Sequence, residues 1–87
     1  MREYSIRFAR SARKELEALD PSVALRVLGK IEGLGTNPRP VGVVKIGGAE
    51  SLWRIRVGDW RVIYQIFDRD HAIDIVAVRH RGDAYRR

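Results

Sequence analysis

Between Glu3 and Phe8 apolar and polar residues alternate, with Tyr4, Ile6 and Phe8 on one side and Glu3, Ser5 and Arg7 on the other. This is the period of a half-buried strand. From Ala9 the period lengthens. Ala9, Ala12, Leu16 and Leu19 recur at three- and four-residue steps, with Arg10, Arg13, Lys14, Glu15 and Glu17 on the opposite side, which predicts an amphipathic helix. Asp20-Pro21 closes it and opens a second, because Asp suits an N-cap and Pro the first helical position. Val23, Ala24, Val27, Leu28, Ile31 and Leu34 form the second apolar stripe, and Gly33, Gly35, Asn37 and Pro38 end it. Residues 36–50 are mostly connection, apart from Val43-Val44-Lys45-Ile46 as a candidate edge strand. Residues 52–57, 60–67 and 72–78 then have strand composition. Gly58-Asp59 suits a two-residue hairpin loop, and Asp68-Arg69-Asp70-His71 a four-residue one with His71 in solvent. The predicted fold is α+β, in one domain over residues 1–87: an N-terminal strand, a two-helix hairpin, then an antiparallel β-meander packed on the helices.

The tight loop sets a register. If Gly58-Asp59 is the turn, Val57 pairs with Trp60, Ile55 with Val62 and Trp53 with Tyr64, all on the face that covers the helices. The other face then carries Arg56 opposite Arg61, and Arg54 opposite Ile63. Strict alternation through the next loop adds Asp74, Val76, Val78 and His80 to that face. Two guanidiniums directly opposite each other repel, by roughly 1 kcal/mol in water and a few kcal/mol at a surface-like dielectric. Either solvent screens the pair or an anion binds between the two, and a phosphodiester has the right size. Arginines on the wet face of an antiparallel sheet are also ordinary surface chemistry.

Charge sharpens this picture. The 17 Lys+Arg against 11 Asp+Glu give a net charge of +6 over 87 residues. Only Lys14, Lys30 and Lys45 are lysines, so 14 of the 17 cations are arginine, the side chain that grips phosphate or carboxylate with a two-pronged fork. The tail Arg79-His80-Arg81-Gly82-Asp83-Ala84-Tyr85-Arg86-Arg87 concentrates four of these arginines just past the last strand. Cysteine is absent, which excludes disulfides, thiolate metal sites and a Cys nucleophile. No second His stands at ligand spacing from His80, so no metal or other cofactor is expected. No signal peptide is recognisable and no apolar run approaches the roughly 18 residues of a membrane span, so the expected location is cytoplasmic, with no membrane partner.

The whole chain from Glu3 to Arg87 resembles the RelE/ParE superfamily of small type II toxins. The resemblance rests on Phe8-Ala9-Arg10-Ser11-Ala12, on Asn37-Pro38-Arg39-Pro40, on the run from Leu52-Trp53-Arg54-Ile55-Arg56 through Gly58-Asp59-Trp60-Arg61 to Tyr64, and on Val78-Arg79-His80-Arg81-Gly82-Asp83-Ala84-Tyr85. It implies a toxin that enters the ribosomal A site, cuts messenger RNA there, and is silenced by a cognate antitoxin in a heteromeric complex. In the RelE branch the cleavage surface uses two basic residues one apart before the hairpin, an arginine after it, and an arginine and a tyrosine in the tail. These roles fall on Arg54, Arg56, Arg61, Arg81 and Tyr85. Arg54 and Arg56 replace the lysines of the founding RelE pattern, and an arginine keeps its proton where a lysine can lose one. Lys45, Arg79, His80 and Arg86 are expected to add RNA contacts, with His80 also a candidate acid or base. Arg81 takes part only if the last strand ends or twists near His80. Two alternatives share the fold: a ParE-type inhibitor of DNA gyrase that cuts no RNA, and a non-catalytic relative that only binds antitoxin.

Overall fold

The computed structural model describes residues 3–46 and 52–84, which run in the order β1 (Ser5–Phe8), α1 (Arg10–Glu17), α2 (Pro21–Leu34), β2 (Val44–Ile46), β3 (Leu52–Val57), β4 (Trp60–Phe67), β5 (Ala72–His80) and α3 (Arg81–Ala84). The strands form one mixed sheet in the order β1-β5-β4-β3-β2. β1 runs parallel to β5, with Ser5 beside Ala72 and Phe8 beside Ile75, while β5, β4, β3 and β2 are antiparallel neighbours. Among the described residues no helix is long and apolar enough to cross a membrane.

Periodicity explains the layers. On α1 the buried position is Ala12, on α2 Val27, Ile31 and Leu34, and these meet Ile55, Val57, Val62, Tyr64, Ile66, Ile73, Ile75 and Val78 from one face of the sheet. Full burial of such aliphatic side chains contributes about 1.5–3 kcal/mol each before conformational entropy is counted. α1 stops two residues before the expected Leu19, where the amides of Ala18 and Leu19 bond back to Lys14 and Leu16. Asp20 stands at the N-cap of α2 with Pro21 following, but its carboxylate makes no capping bond.

The hairpin register is the expected one, from Val57 with Trp60 to Leu52 with Gln65, and Arg56 lies directly opposite Arg61. Gly58 takes a φ of +60° at the first loop position, as a two-residue turn with Gly first requires. The next pairing departs from expectation. Tyr64 pairs with Ile75 but Ile63 with Ala77, so Val76 is an inserted residue, a β-bulge that reverses the parity of everything after it. Val78 therefore joins the core beside Val62, His80 faces the helix side beside Trp60, and Arg79 comes into the row of Arg61. The physical reason is burial: strict alternation would aim Arg79 at the core and leave Val78 wet, losing a valine's burial and desolvating a cation.

His71 is a second correction. It is half-buried with its ring 5.0 Å from that of Tyr4, and it adopts a left-handed φ of 51° before β5 begins.

Candidate functional site

Arg54, Arg56 and Arg61 line one hollow of about 200 Å³ on the sheet face away from the helices, with Gly42 and Val44 as its other wall. β3 supplies the first two one residue apart, β4 supplies the third, and the Gly58-Asp59 turn holds the strands in the register that gathers them. Val44 arrives from β2, where it pairs with Arg54.

Arg61 is the one buried charged or polar residue among those described, at 8% exposure. Its Nη1 donates to the carbonyls of Gly58 at 3.2 Å and Trp60 at 3.1 Å. Those bonds fasten the guanidinium to the hairpin tip but leave its charge without a carboxylate, since none of the described ion pairs includes it. Buried cations are ordinarily paired. Here the nearest residue across the ladder is another arginine, the exposed Arg56.

Four other arginines are matched to carboxylates. Arg7 meets Asp74 at 2.7 Å, Arg39 meets Asp68 at 2.7 Å, and Arg13 approaches Glu17 at 3.5 Å. Arg79, although in the row of Arg61, donates from Nε to Glu15 at 2.6 Å; the same carboxylate accepts the Val78 amide at 2.8 Å, where β1 has ended and the edge of β5 is otherwise open. The 200 Å³ hollow has no acidic side chain among its described lining residues, and Asp74, which β5 places on the same sheet face, is engaged by Arg7.

The remaining candidates disperse. β5 ends at His80 and α3 begins at Arg81, whose amide donates to Asp59 O at 2.7 Å, so the chain turns just where Arg81 must leave the strand and docks it on the hairpin tip. Arg81 does not line the arginine hollow. His80 was expected on the arginine face; the Val76 bulge instead sets its ring edge-on to Trp60 at 5.2 Å, in a separate hollow with Glu15, Ala18, Leu19, Val78 and Arg79. Lys45 pairs with Trp53 and holds its ammonium 5.8 Å from that ring, also on the helix side. Tyr85 and Arg86 lie outside the described residues. Gly42 and Val44 escaped the sequence reading because the spacing between the Val43–Ile46 run and the 52–57 strand does not by itself fix a register.

The hollow offers arginine and no group that exchanges protons near neutrality. It can bind an anion, orient it and offset charge that builds on its oxygens. Among the described residues no cluster of His, Cys, Asp or Glu is suited to a metal ion.

A five-stranded mixed sheet behind a two-helix layer is the fold that this chain shares with solved RelE-type toxins. The chain matches the family described as ParE toxin of type II toxin-antitoxin system over residues 6–85. It is 33% identical over 85 residues to Toxin RelG of Mycobacterium tuberculosis, covering 97% of this chain and 98% of RelG. The archaeal RelE-RelB complex from Pyrococcus horikoshii contains a chain that superimposes with a TM-score of 0.82 at 30% identity, over 92% of this chain and 97% of that one. The RelBE2 toxin-antitoxin complex of M. tuberculosis gives a TM-score of 0.81 at 28% identity, over 95% and 97%. The protein belongs to the RelE/ParE superfamily of type II toxins and is of the RelE type.

Proposed function

We propose that the chain is a ribosome-dependent endoribonuclease that cuts messenger RNA without a metal, with Arg54, Arg56 and Arg61 as the clamp on the scissile linkage. The observation that carries this reading is Arg61, a nearly buried guanidinium held by two backbone carbonyls, opposed by Arg56 and matched by no carboxylate among the described residues. A phosphodiester between the strands relieves the repulsion and completes the hydrogen bonding.

In the reaction the 2′-hydroxyl attacks the adjacent phosphorus in line, the bond to the 5′-oxygen breaks, and the products are a 2′,3′-cyclic phosphate and a 5′-hydroxyl. The 2′-hydroxyl loses a proton and the leaving oxygen gains one. Arginines do not carry those protons at neutral pH. Their part is to hold the phosphoryl group and stabilise its extra charge, with Arg81, at the hairpin tip, near the leaving oxygen and Tyr85 as base or stacking surface. The ribosome supplies the attack-ready RNA shape that such a clamp lacks. The partner is a cognate antitoxin, a reading supported by the RelE-RelB and RelBE2 complexes among the structural neighbours.

Gyrase inhibition is the second reading, favoured by the ParE description of the matching family. Mapping RNA ends in a reconstituted translation reaction, beside a gyrase supercoiling assay, separates them. Cut messages with untouched supercoiling support the nuclease; blocked supercoiling with intact messages overturns it.

A further inference from the structure

Leu25, Val41 and Val44 are the large apolar side chains left exposed among the described residues, and two of the three belong to the short segment that walls the arginine hollow. That segment is shaped. Val43 N–H bonds back to Pro40 O at 3.1 Å, closing a four-residue turn whose third residue, Gly42, has a φ of +92°. This is the position where a turn of that kind needs glycine. Val41 stands at its tip fully in solvent, and Val44 follows on the edge strand, 43% exposed and paired with Arg54. A Cβ added at Gly42 would meet no atom of the described residues within 4 Å, so bare backbone lies open at the wall of the hollow.

One wall is therefore cationic and the other is an apolar surface of Val44 and glycine backbone. A free phosphate or a carboxylate uses only the first. A nucleotide uses both, because its charged linkage is joined to a flat ring with apolar faces. Resting on the nuclease reading above, we infer that the 41–44 segment is a nucleobase subsite: the base attached to the clamped phosphate lies against Val44 and the backbone of Gly42, with Val41 at its rim. This makes Val44 and Val41 determinants of which position in a message is cut, separate from the arginines that hold the linkage. Glycine backbone admits the close approach that a flat ring needs, and contact between a ring face and an apolar side chain tolerates several bases while ranking them.

Two measurements test the subsite with Val44→Ser, the Val41→Ser/Val44→Ser pair and the conservative Val44→Ile. Circular dichroism should show all three folded, since both positions are exposed. In translation-coupled end mapping, Val44→Ser should flatten the preference among cut positions by about 3-fold or more, with Val44→Ile restoring it, at the scale of a lost base contact. An unchanged pattern in the double variant overturns the inference. In fluorescence anisotropy at fixed salt, the unmodified protein should bind a short single-stranded RNA about 5-fold tighter than an abasic strand of equal length, a margin that Val44→Ser removes. Equal affinity of the unmodified protein for the two strands also overturns it. If the unmodified protein cuts no message, the nuclease reading falls and the anisotropy comparison alone decides the subsite.

Discussion

The two ends of the sheet use the same side chain in opposite ways. At the end of the β4–β5 turn, Arg39 is fully engaged: it donates to both Asp68 oxygens, at 3.2 and 2.7 Å, and lies 5.0 Å from the centre of the Trp53 ring. Tyr4 adds its hydroxyl to Asp68 at 2.7 Å, and Tyr64 donates to Pro38 O at 2.6 Å, so β1, the loop after α2 and the β4–β5 turn are clasped together. At the β3–β4 turn, Arg61 has, among the described residues, two backbone carbonyls as partners and Arg56 opposite it. An arginine with a carboxylate and an aromatic face stabilises the fold. An arginine buried opposite another arginine contributes no such ion pair, which is why the proposed clamp is placed there.

The strongest way to break this contrast is at Arg61. Arg61→Ala should lower translation-coupled cleavage by about 100-fold or more, the scale of removing a preorganised charge stabiliser, while circular dichroism shows the fold retained; near-normal cleavage would remove Arg61 from the clamp. Arg56→Ala should lose about 10-fold, since its guanidinium is exposed and more easily replaced by water and salt. Arg39→Ala should leave cleavage within a few-fold and act on thermal stability instead.

The clasp end predicts pH effects on stability. Burial pushes the Tyr64 phenol up to about 12. A raised phenol means the fold favours the neutral form, so this contribution is complete below pH about 10 and is lost as the pH rises toward that upper value. Between those limits the loss amounts to roughly 2–3 kcal/mol at about 1.4 kcal/mol per pH unit, and Tyr64→Phe should flatten the alkaline limb of a denaturation series. The hydrogen bonds from Arg39, and then from Tyr4, hold the Asp68 carboxyl below its usual range. A lowered carboxyl stabilises above pH about 4 and loses that contribution as the pH falls. Asp68 is exposed, so Asp68→Asn should cost only a small shift in Tm at neutral pH, and should erase the difference from the unmodified protein under acid. The smallest effect belongs to His80: because its ring packs on Trp60 on the helix side, His80→Gln should leave the pH profile of cleavage unchanged.

Much of the arginine end was readable along the chain because one tight turn at Gly58-Asp59 propagates its register through six paired positions. The β4–β5 pairing was not readable past its middle. Ile75-Val76-Ala77-Val78 is continuously apolar, so alternation carries no parity there, and Arg79 decides it by refusing burial. His80 was misplaced for that reason alone. The clasp was invisible because its partners are remote: Arg39 and Asp68 are 29 residues apart, Tyr4 and Asp68 are 64. Nor did sequence spacing link Val44 to Arg54, since the five residues between Ile46 and Leu52 leave more than one register open.

If an RNA linkage enters the hollow of Arg54, Arg56 and Arg61, it leaves Arg7 and Arg39 alone. Nitrogen-15 spectra of the guanidinium groups, recorded while a short RNA with 2′-O-methyl groups is titrated in, report each arginine separately and permit no cleavage. Saturable shifts at Arg56 and Arg61, with Arg7 and Arg39 unmoved, are the expected result. Shifts spread evenly over all four, or confined to Arg7 and Arg39, would contradict the account.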